Sequence, residues 1–318
     1  MKSFFLGVDT SNYTTSLSLV CEGQVVSNIR RLLPVEHGKK GLRQSDAVFL
    51  HTKALPELSR LLFENAGISP ESIKAVGVSS KPRNAEGSYM PCFLAGISYA
   101  SGIAHALNIP LYEFSHQCGH ISAGIYSCGN DSDIFNDTFI SFHISGGTTE
   151  ALLTKKSHDG YECLIAGGTN DASCGQIIDR AGVMMGMDFP CGRELEKAAL
   201  LSDGKTRLPL CVSFKNGYFS MSGLENKVSK FLSDNYKKED IALFLFKSIA
   251  EAIKKSSLYL REKYGELPII YAGGVMSNSI IRSELSKLCG TYFASSELSS
   301  DNACGTALLA YRHHLERS

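Results

Sequence analysis

The chain has 318 residues, with 32 Lys and Arg against 32 Asp and Glu, 43% hydrophobic and 20% charged. That length fits about two domains and that composition fills a buried core, which excludes intrinsic disorder as the main state. Neutrality argues against autonomous, strong binding of nucleic acid or anionic membrane through a broad basic field, so such binding would be local or shared with a partner. In chain order, Phe4 to Val20 reads as an apolar strand, a polar turn over Asp9 to Tyr13 and an alternating strand, TTSLSLV. This is a hairpin with small polar residues at its tip. A helical signal follows in LHTKALPELSRLLFENAG, then the strand KAVGVSS and a small-residue helix through PCFLAGISYASGIAHALN. Phe139 to Thr154, FISFHISGGTTEALLT, repeats the hairpin plan, Thr148-Thr149 answering Thr14-Thr15, which suggests a duplicated domain. The second half adds a long helix near Asp240 to Tyr264, the strand PIIYAGG, a turn and another helix. The stretch after Asp301 is a helix too short to be a domain, so it is expected to pack back on an earlier one. Strands alternating with helices predict an α/β fold with helix-covered sheets.

Ten cysteines are dispersed with no C-x-x-C pair, as expected of reduced thiols in a cytosolic protein rather than of a disulfide framework or zinc ribbon. The start, MKSFFLGVDTSN, has no cleavage region, and no segment offers the 18 or so apolar residues of a membrane span. The expectation is a soluble, cytoplasmic protein without a membrane partner.

Three turns offer backbone N–H groups to an anion without a bulky side chain in the way. They are Asp9-Thr10-Ser11-Asn12, Ser145-Gly146-Gly147-Thr148-Thr149, and Ala272-Gly273-Gly274-Val275 between a strand and a helix. One such turn is more often plain hairpin geometry; three, two of them on duplicated hairpins, favour a nucleotide site. In His116-Gln117-Cys118-Gly119-His120, residues four apart share one helix face, so both imidazoles can reach one metal ion. The bland reading is a pair of partly buried or surface histidines. A zinc peptidase needs a glutamate beside the first histidine, and Gln117 cannot act as a base. The stretch DASCGQIIDRAGVMMGMDFPCGRELEKAA sets Asp171, Asp179 and Gly192 around a small-residue helix. On composition alone these are solvated acids; beside the glycine turns, Asp179 becomes a carboxylate able to hold a ribose hydroxyl pair. The basic run of Arg30, Arg31, Lys39, Lys40 and Arg43 is ordinarily solvated loop surface.

The motifs DTSNYTTS, SHQCGHISAG, HISGGTTEALL, DASCGQIIDRAG, MDFPCGREL, FSMSGLENK, YAGGVMSN and DNACGTALLAY occur in one order along nearly the whole chain. In that order the chain resembles the TsaD/Kae family of tRNA N6-threonylcarbamoyladenosine transferases, historically labelled O-sialoglycoprotein endopeptidases. The resemblance implies an α/β, duplicated actin-like ATPase (ribonuclease H-like) fold, with two lobes around a nucleotide and metal cleft. The lobes are expected at 1–112 plus 296–318 and at 113–295. It implies one divalent metal, Fe2+ or Zn2+, on His116, His120 and Asp301. Contacts to ATP or threonylcarbamoyl-adenylate are implied at Ser145, Gly146, Gly147, Thr148, Asp179, Gly192 and Asn278, with Asp9 as the catalytic acid. The implied reaction moves a threonylcarbamoyl group from its adenylate to N6 of adenosine in the anticodon loop of ANN-decoding tRNA. Implied partners are tRNA, proteins of the same pathway and a paralogous subunit in a dimer.

The departures concern acids. The family's first hairpin resembles E-T-S-C-D-E-T, whereas here Asp9 stands for the first acid, Asn12 for the cysteine, and Tyr13-Thr14 for two acids. Cys118 replaces a glutamate between the histidines, Gln176 ends the D-D-A-x-G-E stretch, and Glu225 reverses a lysine. Losing a general base costs about 10²–10⁴ in rate. The alternatives are therefore a non-transferring nucleotide- and metal-binding paralogue serving as a scaffold or acting on another acceptor, and, least favoured, a metallopeptidase.

Overall fold

The computed structural model describes residues 2–11, 13–34, 42–299 and 303–317, with the side chains of 130–132 excepted. In chain order the first elements are β1 (Phe4–Asp9), β2 (Thr14–Cys21), β3 (Gln24–Leu32), α1 (Gln44–Ala66), β4 (Ile73–Lys81), α2 (Phe93–Leu107), β5 (Leu111–Ser115) and α3 (His116–Tyr126). They are followed by β6 (Thr138–Ile144), β7 (Thr149–Ser157), β8 (Gly160–Thr169), α4 (Cys174–Met184), α5 (Gly192–Leu200), β9 (Ser213–Lys215), β10 (Tyr218–Ser220) and α6 (Ser222–Ser233). The last are α7 (Lys238–Tyr264), β11 (Ile269–Ala272), α8 (Ser279–Leu285), β12 (Thr291–Phe293) and α9 (Cys304–Arg317). The alternating α/β signal is thus met, and both expected hairpins form, β1 with β2 and β6 with β7, each antiparallel.

Two compact units divide the chain: Met1–Gly129 with Lys156–Glu162 and Leu298–Ser318, and Asn130–Lys155 with Cys163–Glu297. The expected boundary after residue 112 falls inside the first unit. The reason is packing between α3 and α9, where a side chain on Gly305 would collide with the Gly119 carbonyl.

The first unit is a five-stranded sheet in the order β3-β2-β1-β4-β5, with β4 parallel to both β1 and β5. Period two in β1 sends Leu6 and Val8 into a core with Leu55, Leu58 and Leu62 of α1 and Ala100 and Ala104 of α2. Gly7 points the other way, where a Cβ would lie 2.4 Å from the Ala303 carbonyl oxygen, so the C-terminal helix reaches the sheet over a bare strand. That helix packs back as its length required. No expected strand covers β3, an edge strand whose mixed burial hides its period. Its signal was the two-residue turn Glu22-Gly23, both at positive φ, 52° and 75°. Arg30 and Arg31 belong to this strand, and Arg31 pairs with Glu57 at 2.7 Å.

The second unit is a seven-stranded sheet, β12-β11-β6-β7-β8-β10-β9. Read from β8, the order β8-β7-β6-β11-β12 repeats β3-β2-β1-β4-β5, including a parallel strand beside the hairpin and another beyond it. The duplication inferred from the Thr-Thr hairpins is therefore one of sheet topology. Its core gathers Ile140, Phe142, Ile269 and Tyr271 from the strands with Phe246, Ile249 and Ile253 of α7. Among the described residues no helix is long and apolar enough to cross a membrane.

Candidate functional site

In the first unit, the end of β1 carries Asp9, only 1% exposed. Its Oδ1 accepts from the Ser11 N–H at 2.8 Å and from the Ser11 hydroxyl. Its Oδ2 accepts from the Ser79 hydroxyl of β4 at 2.5 Å and from His116 Nδ1 at 2.8 Å. Ser79 spends its proton on Asp9, so the Thr306 hydroxyl of α9 donates to Ser79 at 3.1 Å. Burial raises the Asp9 pKa, but the charge and hydrogen bond of His116 with those of Ser11 and Ser79 outweigh it and hold the carboxyl below its ordinary value. In the neutral ring, a carboxylate on Nδ1 fixes the His116 tautomer and leaves the lone pair on Nε2. His120 stands one helical turn on, its ring 4.3 Å from that of His116 and at 72° to it. The Ser115 hydroxyl caps α3 by accepting from the Cys118 N–H, which fixes where the helix starts and so which face holds the histidines. Asp301, expected as the third ligand, lies outside the described residues, as do Asn12, Lys39 and Lys40.

The expected anion turn at Asp9 to Asn12 is spent on structure. Thr10 donates to the Cys92 carbonyl at 3.0 Å and accepts from the Gly96 N–H at 3.1 Å, and Ser11 turns back on Asp9. Cys118, standing where an acid was expected, is buried, and burial raises its thiol pKa.

The second unit brings the remaining residues into a closed circuit of contacts. At the end of β6 the Ser145-to-Thr148 turn closes by Ser145 N–H on the Thr148 carbonyl at 2.8 Å and Thr148 N–H on the Ser145 hydroxyl at 3.1 Å. Gly146 and Gly147 face open space, where an added Cβ would meet nothing within 4 Å. The N-terminus of α4 presses on this turn: Ser173 donates to the Gly146 carbonyl at 2.6 Å, and a Cβ on Gly175 would sit 2.5 Å from Gly146 Cα. Ser173 and Gln176 form a reciprocal capping box, a task the amide performs as a glutamate would. One turn further, Asp179 Oδ1 accepts from the Cys191 N–H at 2.9 Å, fixing the residue before Gly192, the first of α5. Burial of Asp179 raises its pKa, and the Cys191 bond only partly offsets this. Glu196 of α5 accepts from the backbone N–H and hydroxyl of Ser279 at 2.7 and 2.6 Å. Asn278 beside it caps α8 by accepting from Ile280 and Ile281. Gly273, at φ 102°, closes the circuit: a Cβ there would lie 2.2 Å from the Ile144 carbonyl oxygen, just before Ser145.

The family model for tRNA N6-adenosine threonylcarbamoyltransferase, TsaD, matches residues 37–308. The chain belongs to the TsaD family. Members are named as acyltransferases acting on tRNA adenosine N6, and the family's similarity runs through both units described above. An enzyme of that name from Thermosipho africanus is 29% identical over 96% of this chain and 93% of its own. Its counterpart from Thermus thermophilus is 29% identical over 97% and 92%. Among solved structures, component A of the (R)-2-hydroxyglutaryl-CoA dehydratase of Acidaminococcus fermentans superposes with a TM-score of 0.54 at 18% identity, covering 98% of each chain. A ROK family glucokinase from Streptomyces griseus gives 0.54 at 15% identity, covering 98% and 100%. These two share the fold alone, the duplicated actin-like ATPase architecture that the family resemblance implied.

Proposed function

We propose that this chain transfers a threonylcarbamoyl group from threonylcarbamoyl-adenylate to N6 of adenosine in the anticodon loop of ANN-decoding tRNA, working in the cytoplasm with partner proteins of that pathway. The observation that carries the reading is the buried Asp9–His116 pair in a chain of this family. A carboxylate on Nδ1 of a histidine whose neighbour is a second histidine is the usual support of a metal-binding imidazole. The donor set fits: His116 through Nε2, His120 and, by resemblance, Asp301 suit Fe2+ or Zn2+. Bound there, the ion supplies Lewis-acid polarisation of a carbonyl or phosphate oxygen.

Asp9 is then a positioning residue rather than the catalytic acid, since both its oxygens are occupied by protein donors and it is closed to solvent. In the second unit, Ser145, Gly146, Gly147 and Thr148 are our candidates for phosphate contact. Their support is the open space at both glycines and the positive end of α4 against the turn. Asp179 lies four residues beyond Gly175 on the same helix face and is our candidate for the ribose hydroxyls, with Gly192 and Asn278 lining the same circuit.

The test is a reaction with threonylcarbamoyl-adenylate, the pathway's partner proteins and an ANN-decoding tRNA, read by mass spectrometry of the digested nucleosides. Threonylcarbamoyladenosine is expected. A protein that holds metal and adenine nucleotide yet yields no product would be the non-transferring paralogue instead.

A further inference from the structure

Strands β7 and β8 are joined by His158 and Asp159, and this turn lies against the C-terminal helix within the first unit. From α9, His313 faces it, only 5% exposed, its ring edge-on to Tyr112 at 4.6 Å and to Phe114 at 6.0 Å. His313 Nδ1 is 2.9 Å from the His158 carbonyl oxygen. A carbonyl only accepts, so Nδ1 carries the proton and the lone pair is on Nε2. This is the arrangement in which a protein holds a metal-binding imidazole by its far nitrogen. The His158 ring stands 4.6 Å from the His313 ring at 71°. His158 Nδ1 lies 3.0 Å from Asp159 Oδ1, and that hydrogen bond holds the Asp159 carboxyl below its ordinary pKa, so it is ionised at neutral pH.

We propose that His158, Asp159 and His313 form a second divalent-cation site, built from two imidazoles and one carboxylate, which clamps the β7–β8 turn to the C-terminal helix. One ligand atom from each residue lies within 4.8 Å of the other two. Bonds of about 2.0–2.1 Å set ligand atoms roughly 3–3.5 Å apart around a four-coordinate ion. The His158–Asp159 separation already meets that, and the third ligand closes by about 1 Å, within the rotamer freedom of two exposed side chains. The ion takes the place of the His158 Nδ1 proton between the ring and Asp159, and the neutral ring then carries its proton on Nε2. Two imidazoles select a borderline ion such as Zn2+, Co2+ or Ni2+ over Ca2+ or Mg2+, whose partners are oxygens. The turn is held ready: Arg312 donates to the Gly160 carbonyl at 3.3 Å and the Tyr161 hydroxyl at 3.2 Å, with its guanidinium 5.1 Å over the Tyr161 ring. The Arg317 charge also acts on Asp159 and opposes a cation, so this site is expected to fill after the His116/His120 centre.

The inference does not depend on the transferase reading. Full-length protein stripped by a chelator is titrated with Co2+ by equilibrium dialysis, with the absorption spectrum recorded. Two ions per wild-type chain are expected, without thiolate-to-cobalt absorption for the second. His158→Ala and Asp159→Asn alter exposed side chains and should each lose one ion while keeping the other; a His116→Ala/His120→Ala chain should keep the second alone. The Co2+-induced rise in melting temperature that saturates with the second ion should vanish in His158→Ala. Wild-type stoichiometry and affinities in His158→Ala, a thiolate band on the second ion, or a single site abolished by His116→Ala/His120→Ala would each overturn the proposal.

Discussion

At the scale of single residues, the consequence of Asp9 lies in which nitrogen of His116 it occupies. A hydrogen bond from Nδ1 to a buried carboxylate raises the basicity of Nε2 and fixes the ring, and loss of such a partner typically costs 10–100-fold in metal affinity. His116→Ala should therefore abolish metal binding at the His116/His120 centre, and Asp9→Asn should keep it there with affinity weaker by about 10–100-fold, measured by competition with a chromophoric chelator. Wild-type affinity in Asp9→Asn would remove Asp9 from the metal's surroundings. Asp9 and His116 stand 107 positions apart with no sign of this pairing in the sequence, and it arises because β1 and the start of α3 end beside one another around β4. A sequence reading sees an acid on a hairpin tip and assigns it to chemistry, whereas Asp9 is buried with both oxygens hydrogen-bonded within the protein. Gly175 makes the opposite case, being legible in the motif though its reason is steric. A Cβ there meets backbone at 2.5 Å and 2.7 Å, so neither Gly146 Cα nor the Ser145 carbonyl oxygen can yield cheaply. Gly175→Ala should cost about 1–3 kcal/mol in urea unfolding and weaken adenine-nucleotide binding by calorimetry, with metal content unchanged. An unaltered nucleotide affinity would separate the turn from the ligand.

At the scale of elements, helix starts do much of the positioning, and one is capped from a distance. Asp171, in the loop before α4, accepts from the N–H groups of Met221 at 2.8 Å and Ser222 at 3.0 Å and from the Ser220 hydroxyl at 2.5 Å, at the start of α6. Burial raises its pKa, yet these donors outweigh it and hold the carboxyl well below the usual carboxylate range. A depressed folded pKa gives stability that is complete above the unfolded value, about 3.9, and is lost as pH falls through the folded one. Asp171→Ala should thus cost about 1 kcal/mol at pH 7, and the gap to wild type should narrow as pH is lowered below about 4. Urea midpoints across that range measure it; a gap that does not change with pH would mean that the charged carboxylate contributes nothing. The same scale explains the uneven legibility of the strands. β1 and β11 are evident because their apolar residues fall in one short run, and β2 because it alternates, whereas β3 lies at a sheet edge with mixed burial and no clear period.

At the scale of the whole molecule, the duplicated architecture was readable because two hairpins of one plan impose one strand order on two sheets, and family motifs fell on their turns. The His158–Asp159–His313 cluster is not readable from sequence, since His158 on a turn and His313 on a helix lie 155 positions apart and only the packing of α9 joins them. Charge distribution supplies the remaining argument. With 32 basic and 32 acidic residues, the chain carries no net positive charge to draw phosphates. A protein making 6–10 phosphate contacts loses about 10³–10⁵ in affinity between 50 and 200 mM salt, because each contact releases condensed counterions. For this chain alone, one or two contacts predict a loss of only about tenfold over that interval, and weak tRNA binding at physiological salt. Filter binding of labelled ANN-decoding tRNA across the salt series measures the slope. If the slope steepens only when pathway partners are added, the phosphate contacts reside on those partners and this subunit contributes the site where the adenosine is modified. A steep slope for the isolated chain would instead locate a concentrated basic surface on it, despite its neutrality.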